Sequence, residues 1–229
     1  MIIETQNLKK LYRTELVETT ALDAVSVSVD AGQFVSIMGP SGCGKSTLLH
    51  ILGLIDTPSD GRYRFLGEDV SRYPESKRAA IRKRNIGFVF QSFNLIDELT
   101  VYENVELPLV YAKIPPRERK AKVEAVLERM DIGHRREHMP GQLSGGQQQR
   151  VAVARAVANQ PNLILADEPT GNLDSEHGAE VMKILVKLHE EGTSILMVTH
   201  SPENAAYGER TIRMLDGRVL ADNVSSPQA

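Results

Sequence analysis

Apolar residues in this chain fall into two kinds of run, and the runs alternate. Short unbroken blocks occur at Phe34–Met38 (FVSIM), Ile86–Phe90 (IGFVF), Leu163–Asp167 (LILAD) and Ser194–Thr199 (SILMVT). Such blocks predict strands buried on both faces, as in a parallel sheet. Between them, apolar positions recur at helical spacing. Leu48, Leu49, Leu52 and Ile55 follow the first block, and Val123, Val126, Leu127 and Met130 lie mid-chain. Val181, Ile184, Leu185 and Leu188 follow LILAD, in a helix whose expected cap is Ser175. Gly61–Gly67 (GRYRFLG) reads as an edge strand, and TIRML-DG-RVLAD as a hairpin turning at Asp216-Gly217. Strands alternating with helices predict an α/β fold with a mostly parallel sheet covered on both faces.

The pattern changes twice along the chain. The first ninety or so residues are strand-rich. From about Ser92 to Gln160 the spacing becomes helical and the charge density rises, with a break at Pro115-Pro116. The end returns to strand and helix. One domain, 1–229, is therefore expected in three parts. Residues 1–91 hold the first part of the core with an antiparallel β edge subdomain. Residues 92–160 form a helical subdomain, and 161–229 complete the core. NVSSPQA at the end reads as a frayed tail.

Composition narrows the function classes. The chain has 229 residues, net charge −3, 41% hydrophobic and 25% charged residues. Nothing in that balance asks for a nucleic acid partner. The one cysteine, Cys43, rules out a disulfide within the chain and favours a reducing compartment. The N-terminus has no basic stretch leading into a long apolar run, so no signal peptide is expected. No segment is long and apolar enough to span a membrane.

The chemistry begins at GPSGCGKST, Gly39–Thr47. Gly39, Gly44, Lys45 and Ser46 satisfy G-x-x-x-x-G-K-[ST], and the run lies between a predicted strand and a predicted helix. Glycines there let backbone N–H groups of Ser41, Gly42, Cys43, Gly44 and Thr47 curl around phosphates. Lys45 reaches the β- and γ-phosphates, and the Ser46 hydroxyl suits magnesium. With Cys43 in the cradle, its alkylation is expected to block nucleotide, and ATP to protect it. LILADEP supplies the acidic half. Asp167 ends a buried strand, where open α/β sheets bind ligands, and can hold magnesium. Glu168 faces another way by strand alternation and is placed to orient or deprotonate a water. An ordinary acidic strand end would read the same way.

LSGGQQQR, Leu143–Arg150, is a second phosphate-cradling device. Ser144, Gly145, Gly146 and Gln147 precede or open a helix whose dipole favours an anion. One nucleotide has little use for two such devices in one chain. If two copies pair head to tail, each nucleotide lies between one copy's Gly39–Thr47 and the other's Ser144–Gln147. A plain helix cap of small residues is the competing account.

Over nearly its whole length the chain resembles the ATPase subunits of ATP-binding cassette transporters, which are P-loop NTPases. The resemblance rests on Gly39–Thr47, Leu143–Gln147, LILADEP, GNLD at Gly171–Asp174, and the order in which they occur. It implies roles for further residues. Gln91 would sense magnesium and the membrane partner, His200 would contact the γ-phosphate, and Tyr12 would stack on adenine. It implies ATP and Mg²⁺ as ligands, a second copy and an integral membrane permease as partners, and the cytoplasmic face of the membrane as location. DEPTGNLD and QSFNLIDELTVYENVELPL resemble the branch with lipoprotein-releasing, macrolide-export and cell-division members. Two positions depart from that pattern: Cys43 where serine is common, and MPGQ before the signature. In this reading the segment after Gln91 grips the permease, though local core packing would explain its apolar residues too. A cell-division or other non-transport complex and an ATP-binding scaffold without turnover are the rival functions.

Overall fold

Two sheets carry the fold, and the four apolar blocks are neighbours in one of them. The computed structural model describes residues 1–13 and 18–224. It opens with strands β1 (Ile3–Arg13), β2 (Glu18–Val25), β3 (Ser28–Val29) and β4 (Phe34–Met38), then helix α1 (Lys45–Leu52). Strands β5 (Asp60–Phe65) and β6 (Glu68–Asp69), helix α2 (Glu75–Asn85) and strand β7 (Ile86–Phe90) follow. Helices α3 (Val101–Tyr111), α4 (Pro116–Arg129) and α5 (Gly145–Val157) fill the middle. The chain continues through β8 (Leu163–Asp167), α6 (Ser175–Glu190), β9 (Ser194–Thr199), α7 (Pro202–Ala205), β10 (Arg210–Leu215) and β11 (Arg218–Val224).

The main sheet has the order β11-β10-β4-β9-β8-β7 and is parallel except for β11. Alternate residues of its strands face two separate cores. Leu163 and Leu165 join α1 and the second sheet on one side, while Ile164 and Ala166 join α3, α4, α5 and α6 on the other. Double burial is why these strands read as unbroken apolar blocks. Register brings their carboxyl ends level: Met38 lies opposite Thr199, Asp167 opposite Val198, and Phe90 opposite Asp167. The second sheet, order β2-β1-β5-β6 with β3 also on β1, is antiparallel.

Helix α5 is buried on nearly every side, Val151 to Ala154 being fully inaccessible. It lies so close to β7 that a Cβ on Gly87 would sit 2.4 Å from the Ala156 carbonyl oxygen. No helix among the described residues is long and apolar enough to cross a membrane.

Several local expectations are revised. Helix α1 stops at Leu52 with Gly53 as its cap, so Ile55 lies beyond it and is exposed. The cap of α6 is Asp174, whose carboxylate accepts from the His177 N–H, and Ser175 is the first helical residue. Strand β5 is flanked by β1 and the two-residue β6 rather than lying at an edge. Helix α2 was not signalled: it buries none of its residues fully, and Glu75 pairs with Arg78 and Arg82 along it. Asn223 and Val224 belong to β11, and the rest of the supposed frayed tail lies outside the described residues.

Candidate functional site

Strand β4 runs straight into the glycine loop, and Lys45 opens α1. Two glycines there are required by close approach. A Cβ on Gly39 would lie 2.3 Å from the Met214 carbonyl oxygen of β10, and one on Gly44, at φ +99°, would lie 2.4 Å from that of Ala21. The Lys45 side chain folds back over the loop, its Nζ donating to the carbonyls of Gly39 and Pro40, each at 2.8 Å. Those oxygens hold the ammonium where phosphate oxygens would compete for it.

A cleft of about 650 Å³ opens above the loop. Ser41, Gly42, Gly44, Lys45, Ser46 and Thr47 line one side, and the strand ends supply Gln91, Asp167, Glu168 and His200. Gly39 and Cys43 are not on its wall. Cys43 is 3% exposed and its side chain packs in the core beneath the loop. Its backbone N–H donates to the Pro40 carbonyl at 3.3 Å, and its Sγ, buried beneath the loop, lies 4.0 Å from Lys45 Nζ.

Asp167 and Glu168 diverge more sharply than strand alternation requires. Glu168 adopts φ +47°, a left-handed conformation costing about 1–3 kcal/mol in a side-chain-bearing residue. Its N–H donates to the Val198 carbonyl at 2.9 Å. This kink turns its carboxylate toward β9, where Thr199 Oγ1 donates to Oε2 at 3.2 Å and His200 Nδ1 lies 2.8 Å from Oε1. A neutral imidazole that donates from Nδ1 has no second N–H. To donate to a phosphate, His200 must turn or take another proton.

Burial raises the Asp167 carboxyl above the ordinary carboxylate range; the Ser46 hydroxyl opposes the shift, and the Glu168 charge adds to it. A half-buried carboxylate beside another carboxylate is poorly compensated without a cation. Asp167, the Ser46 hydroxyl and the Gln91 amide offer oxygen donors, the type Mg²⁺ takes together with phosphate oxygens. No cluster of three or more acidic, His or Cys side chains that could hold a metal by itself occurs among the described residues. The donor set thus fits a magnesium ion that arrives with a nucleotide.

Gln91 follows β7 and crosses to the loop after Glu168. Its Nε2 donates to Asn172 Oδ1 at 3.1 Å, and a Cβ on Gly171 would come within 2.7 Å of that nitrogen. Tyr12 stands outside the cleft wall, paired in register with Thr19, which lines it. The Tyr12 hydroxyl donates to Asp56 Oδ2 at 3.1 Å, and Lys10 Nζ sits 5.0 Å from its ring centroid.

The signature residues lie elsewhere. Ser144 caps α5, accepting from the Gln147 N–H at 3.3 Å, while Gln147 Oε1 accepts from the Ser144 N–H at 3.1 Å. Gly145 packs near Leu173, and a Cβ on Gly146 would lie 2.5 Å from the His177 ring. None of Ser144, Gly145, Gly146 and Gln147 lines the phosphate cleft. Sequence reasoning missed Thr199, Lys10 and Asp56, and it took in Asn172 only as part of GNLD without its bond to Gln91; the partners of all four are remote in the chain.

The family model described as "ABC transporter" matches residues 22–171. An uncharacterised ABC transporter ATP-binding protein of Thermotoga maritima is 50% identical over 218 residues, covering 95% of this chain and 93% of that protein. The macrolide export ATP-binding/permease protein MacB of Azoarcus sp. is 47% identical over 228 residues, covering 99% of this chain but only 35% of MacB. Among solved structures, a dimeric post-hydrolysis state of the ATP-binding cassette MJ0796 bound to ADP and Pi superposes with a TM-score of 0.90. It is 42% identical, over 97% of this chain and 98% of that one. With the phosphate cleft, the paired acidic residues and the parallel sheet in place, the chain belongs to the ABC transporter family as one of its ATP-hydrolysing nucleotide-binding domains.

Proposed function

We propose that two copies of this chain close head to tail around two MgATP and drive a separate membrane permease. The work is export, or mechanical action outside the membrane, on a lipoprotein, peptide or drug. One observation carries the reading: the Ser144–Gln147 helix start, built for an anion, stands outside its own chain's phosphate cleft. A second copy related by a two-fold axis supplies it reciprocally. The dimeric state of the cassette MJ0796 and the permease fused within MacB support this assembly.

Lys45 and the P-loop amides hold the β- and γ-phosphates, and the partner's Ser144 and its neighbouring amides complete the cage. Glu168, held by Thr199 and His200, orients water in line with the γ-phosphorus and takes its proton. Ser46, Asp167 and Gln91 would hold a magnesium ion arriving with the nucleotide, and that ion would supply positive charge to offset the charge building on the transferring oxygens. Tyr12 offers a face to adenine.

An apolar groove of about 600 Å³ between α2, β7, α3 and α5 suits a permease segment. Phe88, Leu107, Pro108 and Tyr111 line it, and Arg82, Lys83 and Arg155 add positive charge. In this reading residues 92–160 carry the signature and share the docking wall with α2 and β7, while 1–91 and 161–229 carry the nucleotide core. The protein sits peripherally on the cytoplasmic face of the membrane. Gentle detergent pull-down from native membranes with mass spectrometry tests this. A co-purifying permease with few membrane helices and a large outer domain is expected, whereas a soluble partner alone would defeat the transport reading.

A further inference from the structure

Gln149, the last of three consecutive glutamines, lies in the second turn of α5 and is 0% exposed. Glutamine is mostly an exposed residue, so complete burial asks for a reason. Its Nε2 donates to two backbone oxygens at once, that of Pro169 at 2.5 Å and that of Phe90 at 3.3 Å. Phe90 immediately precedes Gln91, and Pro169 immediately follows Glu168. Its Oε1 has no hydrogen-bond partner among the described residues. A buried acceptor left unpaired is unfavourable, and an apolar side chain of the same length would avoid it. The residue is therefore explained by its two N–H groups rather than by packing.

Those N–H groups join loops from two different strands, β7 and β8, to one helix. Six residues on, Arg155 of the same helix donates to the carbonyls of Phe93, at 2.9 Å, and Asn94, at 2.5 Å. Phe93 and Asn94 both adopt left-handed φ, +60° and +49°, so that stretch is held in a fixed, unextended shape. Helix α5 thus grips the chain on both sides of Gln91 and, from Gln149, the loop that carries Glu168. Arg155 and Asn94 also line the apolar groove.

We propose that Gln149 is a positioning residue. It binds the Phe90 and Pro169 carbonyls to the signature helix, so that Gln91, Glu168 and Ser144–Gln147 move as one piece. A displacement at the groove then reaches Glu168 through α5 without passing through the nucleotide. This rests on the roles proposed above for Gln91 and Glu168.

The test is Gln149→Met in the full chain, which keeps the side chain's length and removes both donors. Turnover of MgATP is expected to fall about tenfold or more, with nucleotide affinity within about twofold of the parent, because Lys45 and the P-loop amides are untouched. Gln149→Glu regains one O–H donor when protonated. Its turnover relative to the parent is expected to rise as pH is lowered, and that of Gln149→Met is not. If Gln149→Met lowers Tm but leaves turnover within about twofold, Gln149 only packs, and the proposal fails. Should the variant not fold, hydrogen exchange on the unaltered chain decides. Amides of 90–92, 145–149, 168 and 170–171 are expected to gain protection together on MgATP binding, and independent responses overturn the coupling. Normal turnover in Glu168→Gln would instead remove the role of Glu168 while leaving the exchange result standing.

Discussion

His200 Nδ1 lies 2.8 Å from Glu168 Oε1, and the contact exists because Glu168 takes a left-handed turn at the end of β8. The carboxylate is thereby aimed at β9 and its following residue, where Thr199 and His200 meet it. Glu168→Gln preserves shape and removes the proton acceptor. Phosphate release should fall by about two to four orders of magnitude, the range for a general base, with ATP binding retained. A phosphate-release assay beside equilibrium nucleotide binding checks both halves.

Reciprocal assembly makes a complementation experiment decisive. Lys45→Ala leaves a chain with a sound signature and a failed P-loop, and Ser144→Arg leaves the opposite. Each alone should be inactive. An equimolar mixture should regain activity, because half of the mixed dimer's sites join an intact P-loop to an intact signature. No recovery on mixing would mean the two motifs do not meet across copies.

Asp167 places function against stability. Its carboxyl is raised by burial, so folding disfavours the charged form. The penalty is full above the folded pKa and vanishes below the unfolded one, near pH 3.8. Asp167→Asn should therefore raise the Tm of the nucleotide-free chain at pH 7 to 8, with the gain fading toward pH 4, while Mg²⁺-dependent turnover is lost. Calorimetry across that pH range reads the sign.

Cys43 is expected to resist alkylation in the folded chain, with or without ATP, since its thiol lies in the core beneath the loop. Modification followed by intact-mass measurement should track unfolding. Rapid labelling that ATP prevents would return the thiol to the cleft.

Gly87→Ala should destabilise the fold by about 1–3 kcal/mol, because the added methyl meets the Ala156 carbonyl and must push α5 off β7. Urea unfolding measures it.

Much of the site was legible because its demands fall on neighbouring residues. A phosphate loop needs glycine, lysine and serine in sequence, and a parallel strand buried twice reads as an apolar block ending in Asp167. Relations spanning long separations were not legible. Gln149 meets Phe90 from 59 residues away and looks, in sequence, like either of the glutamines beside it. Helix α2 hides for another reason: none of its residues is fully buried and Ile81 alone packs an aliphatic side chain part-way into the core, so no apolar period marks it. Thiol orientation at Cys43 and the turn at Glu168 depend on backbone dihedrals, and no residue type there announces them.

The tight turn between β10 and β11 is wedged beneath the phosphate loop. Gly217 N–H donates to the Cys43 carbonyl at 3.0 Å, and the Asp23 N–H donates to the Gly217 carbonyl at 2.8 Å. Met214 crowds Gly39 from the same hairpin. The cradle is thus cast during folding, before any nucleotide arrives. Ordering that loop takes little from the free energy of ATP binding, and more of it remains to draw two copies together. On this view the hairpin acts as an anvil: it does not touch the phosphates, but it lets their arrival be felt elsewhere.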